Sequence, residues 1–359
     1  MEKENSMEDS QRGVMSGSRR IGPGAPCFVI AEVGVNHNGS LDLALRSIDV
    51  AKDAGADAVK FQTFRAERLV TKTAPTAKYQ AENTGIVQSQ FQMLKSLELS
   101  EADHERIVAH CRDREIQFMS TPFDEDSATL LHGLGMTLFK VPSGELTNLP
   151  LLRHIAKFGR PMVISTGMST LGDVEAAVSA VEAVGNRQVV LLHCVSNYPA
   201  AAADVNLRAM LSMQAAFNLP VGYSDHTLGI EVGIASVALG ACVLEKHFTL
   251  DKSLPGPDHR ASAEPHELRQ LIAGVRTVEA ALGTGRKAPC SSELDTAKAA
   301  RRSLVAAADL PAGTVLTEDL IAIRRPGTGL PPAMQPYLLS RTLRTSVSAG
   351  QLLRLEDVS

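Results

Sequence analysis

Residues Val221–His259 read VGYSDHTLGIEVGIASVALGACVLEKHFTLDKSLPGPDH. A short apolar run from Val221 closes on Ser224, Asp225 and His226. Gly229–Ala241 then has helical spacing and small residues. Cys242–Phe248 is a second strand-like run, closing on Glu245, Lys246 and His247. Strand, helix, strand predicts a right-handed parallel crossover, which puts both histidines at the carboxyl ends of neighbouring strands. Open and barrel α/β folds place their chemistry there. Either histidine alone reads as a satisfied strand-end residue. The pair, with hydroxyl and acidic neighbours and Asp258 nearby, reads as a site for a divalent metal of the manganese or zinc type.

Outward from this stretch the same alternation repeats. Strands are predicted at Cys27–Val35, Ala58–Phe64, Ile116–Phe123, Leu138–Ser143, Pro161–Thr166 and Gln188–Ser196. Helices follow at Ser40–Ala54, Ser100–Arg114, Asp126–Leu134, Leu149–Phe158, Leu171–Val184 and Val205–Phe217, and a last one at Glu264–Leu282. Ser40 and Ser100 are suited to cap their helices, and Gly55 and Gly159 to end theirs. Eight strand–helix units before residue 285 match a (β/α)8 TIM barrel, which typically takes about 250 residues. A doubly wound open sheet is the alternative, weakened by the lack of GxGxxG after the first strand. The polar stretch from the second strand to Leu99 is too long for a plain connection and reads as a substrate loop.

Both ends of the chain read differently. Residues 1–20 are polar, lack the apolar centre of a signal peptide and are expected to form a disordered tail. The barrel is assigned to 21–285 and a linker to 286–300. Residues 301–359 lose helical period and carry a weak repeat, DLPAGTVLTEDL (Asp309–Leu320) against SVSAGQLLRLEDV (Ser346–Val358). Such a repeat predicts a small pseudo-symmetric β module.

The 359 residues carry a formal net charge of −4, which leaves no nucleic-acid footprint and no attraction to anionic membranes. No apolar run is long enough to span a bilayer. Five scattered cysteines without CxxC spacing predict reduced thiols and a cytoplasmic protein.

Groups converging on the predicted barrel mouth are Glu32, Lys60, Gln62, Thr121, Lys140, Ser143, Glu145, Ser165, Ser196, Tyr198, Ser224, His226 and His247. Lysines inside apolar strands are costly unless paired or wet. Lys60 and Lys140, with Ser143, Ser165 and Ser224, suit a phosphate plus a carboxylate. The alternative is that both lysines pair structurally with Glu32 and Glu145. Asn36-His37 reads as loop-shaping, His193 as a core histidine, and Met162 and Met168 as packing.

AEVGVNHNG, VKFQTF, STPFD, KVPSGELTNLPLL, PMVISTGMSTL, HCVSNYP, VGYSDHTLG, LEKHFTLD and PGPDHRAS together resemble the sialic acid synthase family, from about residue 22 to 358. The resemblance implies a TIM barrel followed by a small C-terminal β-clip (SAF, antifreeze-like) domain. It implies condensation of phosphoenolpyruvate with an N-acetylmannosamine-type sugar, giving a nine-carbon α-keto acid and phosphate. By the same resemblance His226 and His247 hold Mn2+ or Mg2+. Lys60, Thr121, Lys140, Ser143, Ser165 and Ser224 take phosphoenolpyruvate, and Glu32, Gln62, Tyr198 and Asp258 meet the sugar or a metal-bound water. Ser196 joins the substrate-binding set, and Glu145 is the implied general base. A domain-swapped homodimer is implied, with Arg325 of Arg325-Pro326-Gly327 reaching the sugar's N-acetyl group and Arg324 as the alternative register. N-acetylmannosamine ranks first, ahead of the diacetamido-trideoxy hexose that yields legionaminate. A metal-dependent aldolase is a further alternative.

Overall fold

The computed structural model describes residues 13–72, 74 and 89–359. The chain divides into two units, Met1–Gly283 and Thr284–Ser359, so the break falls two residues before the predicted end of the barrel.

The first unit is built on eight parallel strands: β3 (Phe28–Gly34), β4 (Ala58–Thr63), β5 (Gln117–Pro122), β6 (Phe139–Val141), β7 (Met162–Ser165), β8 (Val189–Cys194), β9 (Val221–Asp225) and β10 (Val243–His247). Their order in the sheet is β5-β4-β3-β10-β9-β8-β7-β6, and β5 packs beside β6 to close the ring. Each strand is followed by a helix in the surrounding layer, from Leu41–Asp53 after β3 to Pro265–Leu282 after β10. Ser40 and Ser100 cap their helices as expected, and Ser100 forms a reciprocal capping box with Asp103. Two apolar layers result. Val29, Val59, Phe118 and Leu191 belong to the layer between strands and helices, whereas Ile30, Met119, Val163 and Val190 fill the barrel interior.

The interior cluster also contains Val14 and Ile21, which corrects the expectation of a tail through residue 20. An antiparallel hairpin, β1 (Val14–Ser16) and β2 (Arg19–Ile21), carries these two side chains into the barrel cluster at 5% and 0% exposure. Three-residue strands are too short to announce themselves by alternation. The remainder of the expected tail, residues 1–12, lies outside the described residues.

The second unit holds the antiparallel pair β11 (Ser303–Ala306) and β12 (Ile321–Arg324) and its own apolar cluster. Its two repeats occupy equivalent places. Leu310 and Val347 exchange backbone hydrogen bonds, Gly313 and Gly350 both have positive φ, and Leu316 and Leu353 are both buried. The predicted linker is not extended: Leu294–Ala300 is a helix. Among the described residues no helix is long and apolar enough to cross a membrane.

Candidate active site

The carboxyl ends of the eight strands enclose a cavity of about 590 Å³. Of the residues selected from sequence, Glu32, Lys60, Gln62, Thr121, Lys140, Ser143, Glu145, Ser165, Ser196, Tyr198, Ser224, His226, His247 and Asp258 all line it. Arg325 belongs to the second unit, where it follows β12 and is exposed.

The floor is a buried charge cluster. Lys60 Nζ lies 2.6 Å from Glu32 and donates to Thr121 Oγ1 at 2.9 Å. Lys60 and Lys140 also flank Glu245, at 3.7 and 3.5 Å. Ser224 Oγ donates to the same carboxylate at 2.9 Å. Burial opposes charge on Glu245, but Lys140 and Lys60 outweigh it and hold the carboxyl at about 2. Burial pushes Glu32 up to about 7 against the pull of Lys60, and it lowers Lys140 against the pull of Glu245. Each lysine nitrogen has a carboxyl oxygen close by, Lys60 at Glu32 (2.6 Å) and Lys140 at Glu245 (3.5 Å), so neither is buried without a partner.

This corrects the pairing considered from sequence. Lys60 does pair with Glu32, but the second carboxylate is Glu245, not Glu145. Glu145 stands on the short 3-10 turn Ser143–Glu145, half-buried, and accepts a hydrogen bond from Asn148 Nδ2 at 2.7 Å. Strand alternation carried the missed signal: Glu245 is two residues before His247, so both side chains face the same way.

Beside the lysines is a hydroxyl-lined pocket. Ser165 Oγ is buried without a hydrogen-bond partner among the described residues. Ser143 Oγ accepts from Gly167 N at 3.0 Å and lies 3.0 Å from Cys194 Sγ. A Cβ at position 167 would fall 2.3 Å from Ser196 Oγ and 2.9 Å from both Ser143 Oγ and Cys194 Sγ. The absence of a side chain there keeps open a cradle of donors next to a cationic floor, the chemistry an oxyanion needs.

The two histidines meet. Their ring centres are 5.5 Å apart, and the Tyr198 ring lies 4.2 Å from His226 and 5.4 Å from His247. His226 Nδ1 is 2.6 Å from the Val195 carbonyl, which can only accept, so Nδ1 carries the proton and Nε2 keeps its lone pair. His247 Nδ1 is buried without a hydrogen-bond partner among the described residues. Burial lowers His226 to about 4 and His247 well below the usual histidine range, so both rings are neutral near pH 7. Nitrogen ligands sit about 2 Å from a bound transition metal, so two imidazoles sharing one ion have ring centres within roughly 6.5 Å. Ser224 Oγ lies 3.3 Å from His226 Nε2 but gives its proton to Glu245, so neutral rings and this spacing fit a divalent cation. Asp258 is buried in the cavity wall and pushed up to about 6 by burial. Among the described residues no group of three or more acidic, histidine or cysteine side chains is gathered to hold a metal, so Asp258 does not complete a three-residue set with the histidines. The protein would supply two ligands and leave the other positions open.

One part of the lining is apolar. Leu69, Met93, Leu94 and Leu97, from the helices Ala66–Leu69 and Gln90–Leu97, join Val35 and Phe123 in the cavity lining. They pack as one cluster at the mouth. Both helices belong to the insertion read as a substrate loop; its residues 73 and 75–88 lie outside the described residues. Met168 departs from its packing assignment, lining the cavity at 75% exposure with positive φ, whereas Met162 is buried. Asn36 and His193 are structural. Asn36 Nδ2 donates to Phe248 O and Ser262 Oγ, and His193 Nε2 meets the Val205 carbonyl at 2.6 Å.

Fold and site define a barrel-mouth centre with a two-lysine floor and a hydroxyl pocket beside a pair of neutral imidazoles. The chain belongs to the NeuB family, whose model matches residues 47–287, and residues 301–359 match the SAF domain. It is 47% identical over 348 residues to N,N'-diacetyllegionaminic acid synthase of Legionella pneumophila, covering 96% of this chain and 98% of that one. It is 39% identical to human N-acetylneuraminate-9-phosphate synthase, covering 85% of each chain. Among solved structures it is similar to the N-acetylneuraminic acid synthetase of Leptospira borgpetersenii in complex with citrate. That match has a TM-score of 0.71 and 34% identity, covering 80% of this chain and 95% of that one.

Proposed function

We propose that this protein condenses phosphoenolpyruvate with an unphosphorylated N-acetylated amino hexose in its open aldehyde form, giving a nine-carbon α-keto acid and inorganic phosphate. The observation that carries the reading is one cavity holding a Lys60–Lys140 floor, an open hydroxyl cradle and two neutral imidazoles. Phosphoenolpyruvate is a dianion or trianion with a phosphate and a carboxylate. Lys60 and Lys140, with Thr121, Ser143, Ser165, Ser196 and Ser224, match both groups.

His226 and His247 would hold the divalent cation, Mn2+ or Mg2+. When bound, it supplies Lewis-acid polarisation of the sugar's carbonyl oxygen. Carbon-3 of phosphoenolpyruvate bonds to the aldehyde carbon, while a water adds at carbon-2. Glu145, beside the hydroxyl cradle, takes that water's proton. The aldehyde oxygen takes up a proton to become a hydroxyl, and the tetrahedral carbon expels phosphate by breaking its C–O bond while its hydroxyl gives up a proton, leaving the ketone. Glu32, Gln62, Tyr198 and Asp258, which also line the cavity, would meet the sugar or the metal-bound water. Arg325 would reach the N-acetyl group from the partner chain of a swapped homodimer. Free thiols at all five cysteines support a cytoplasmic setting.

The apolar wall bears on the sugar. Lys60 and Lys140 are the only lysines or arginines among the described lining residues, and both are assigned here to phosphoenolpyruvate. Among the described lining residues a sugar phosphate would therefore lack a cationic partner of its own beside Leu69, Met93 and Leu94, whereas a 6-deoxy methyl and an acetamido methyl would bury apolar surface there. Together with 47% identity to a diacetyllegionaminic acid synthase, this moves 2,4-diacetamido-2,4,6-trideoxymannose ahead of N-acetylmannosamine. The test is phosphate release from phosphoenolpyruvate with a panel of 6-deoxy, 6-hydroxy and 6-phosphorylated amino sugars. Phosphate release with the 6-deoxy sugar, lost on chelation, is expected. Release of pyruvate in place of phosphate would mean an aldolase.

A further inference from the structure

Along β9 and β10 the cavity-lining residues alternate with a second pair that faces the other way. Ser224, His226, Glu245 and His247 line the cavity. Between them Asp225 and Lys246 stand opposite each other in the ladder and point outward. A Cβ on Gly233, in the helix Glu231–Ala238, would lie 3.1 Å from Asp225 Oδ2 and equally far from Leu271 of the last barrel helix. Asp225 thus sits in the apolar layer between strands and helices. Lys246 Nζ donates to Asp225 Oδ2 at 2.8 Å, with side-chain exposures of 2% and 0%. It donates as well to the Thr227 carbonyl. The other carboxylate oxygen, Asp225 Oδ1, accepts from Thr227 N at 2.9 Å and Thr227 Oγ1 at 2.7 Å.

This pair is costly where it stands. Moving two ions out of water costs several kcal/mol each, and apolar replacements of such pairs are often neutral or stabilising. Stability alone therefore gives a poor account of it. Its bonds, however, bracket one residue: Asp225 and Thr227 are the neighbours of His226, and both are tied to Lys246, the residue before His247. The tie links the backbones that carry the two rings. His226 has a further anchor in the Val195 carbonyl, but His247 Nδ1 has no such partner among the described residues. The His247 ring, packed against Tyr198, thus has no hydrogen-bonded anchor at Nδ1, and its placement depends more heavily on where its backbone is held.

We infer that Lys246 and Asp225 are positioning residues, an ion pair on the outer face of the barrel that fixes the spacing of His226 and His247 and so sets affinity for the divalent cation. This rests on the metal assignment proposed above. The experiment measures Mn2+ binding calorimetrically, and thermal unfolding in chelator, on the full chain. Lys246→Met alone leaves Asp225 buried and uncompensated, and is expected to lower both Tm and affinity. Adding Asp225→Asn removes that charge and keeps an oxygen for Thr227, so Tm should recover. Affinity should stay weakened by about 10- to 100-fold, as when outer partners of metal ligands are lost. An affinity that recovers along with Tm would overturn the inference and leave the metal assignment standing. A wild-type protein that binds no Mn2+ would overturn both.

Discussion

At the level of single residues, the site turns on groups that are expensive to bury and are held by one another. Lys140 pairs with a carboxylate rather than reaching water, so its removal takes away the proposed substrate contact and leaves Glu245 with Lys60 and Ser224 alone. Truncating the protein partner of a buried charge contact with a bound ligand costs about 2–5 kcal/mol of binding. Lys140→Ala should therefore lower kcat/KM for phosphoenolpyruvate by about 30-fold or more. Steady-state kinetics with each substrate varied would check this; a loss confined to the sugar would move Lys140 out of the anion site. Gly167→Ala is the complementary test. The added methyl would land among Ser143, Ser196 and Cys194, so phosphoenolpyruvate binding should weaken while the unfolding temperature barely moves. Lys60, Lys140 and the histidines were legible in the sequence because polar residues at the ends of apolar strands stand out. Glu245 was not, because it reads as one of three charged or titratable residues in a row, and only alternation separates it from Lys246.

At the level of elements, the eight strands and their helices were legible from apolar period and capping residues, with boundaries displaced by a residue or a few. The β1–β2 hairpin was not, since its contribution is two side chains rather than a pattern. Ile21 is fully buried in the interior cluster, so Ile21→Ala should cost about 2–5 kcal/mol, read as a lowered midpoint in urea. A midpoint equal to wild type would return the segment to the status of a tail. The loop after β3 carries a pH-dependent contribution. His37 is buried and lowered by that burial from 6.5 to about 4. Between those values the unfolded chain binds a proton that the native ring refuses, so stability falls as pH drops through the window. His37→Gln lacks this titration. The Tm difference between wild type and variant should narrow from pH 7 to pH 4, and a constant difference would contradict the assignment.

At the level of the whole molecule, a barrel puts side chains from eight strands around one opening, which is why residues from Glu32 to Asp258 share one cavity. That convergence follows from fold class alone, so naming the fold correctly was enough to assemble most of the site. Distances between groups, the choice of Glu245 as partner and the apolar wall needed three dimensions, because insertion helices obey no barrel repeat. The second unit's symmetry was legible as a sequence repeat and returns as the backbone pairing of Leu310 with Val347 and as matched glycines. Its part in catalysis is a proposal: removing residues 301–359 should raise KM for the sugar more than for phosphoenolpyruvate, and unchanged sugar kinetics would reject it.

The central claim is that His226 and His247 share one cation beside the anion cradle. Anomalous diffraction from crystals grown with Mn2+ and phosphoenolpyruvate addresses it directly. One manganese peak bonded to both imidazoles, with phosphate density against Lys140 and Ser165, is the result this account predicts. Manganese bound elsewhere, with both rings unligated, would contradict it.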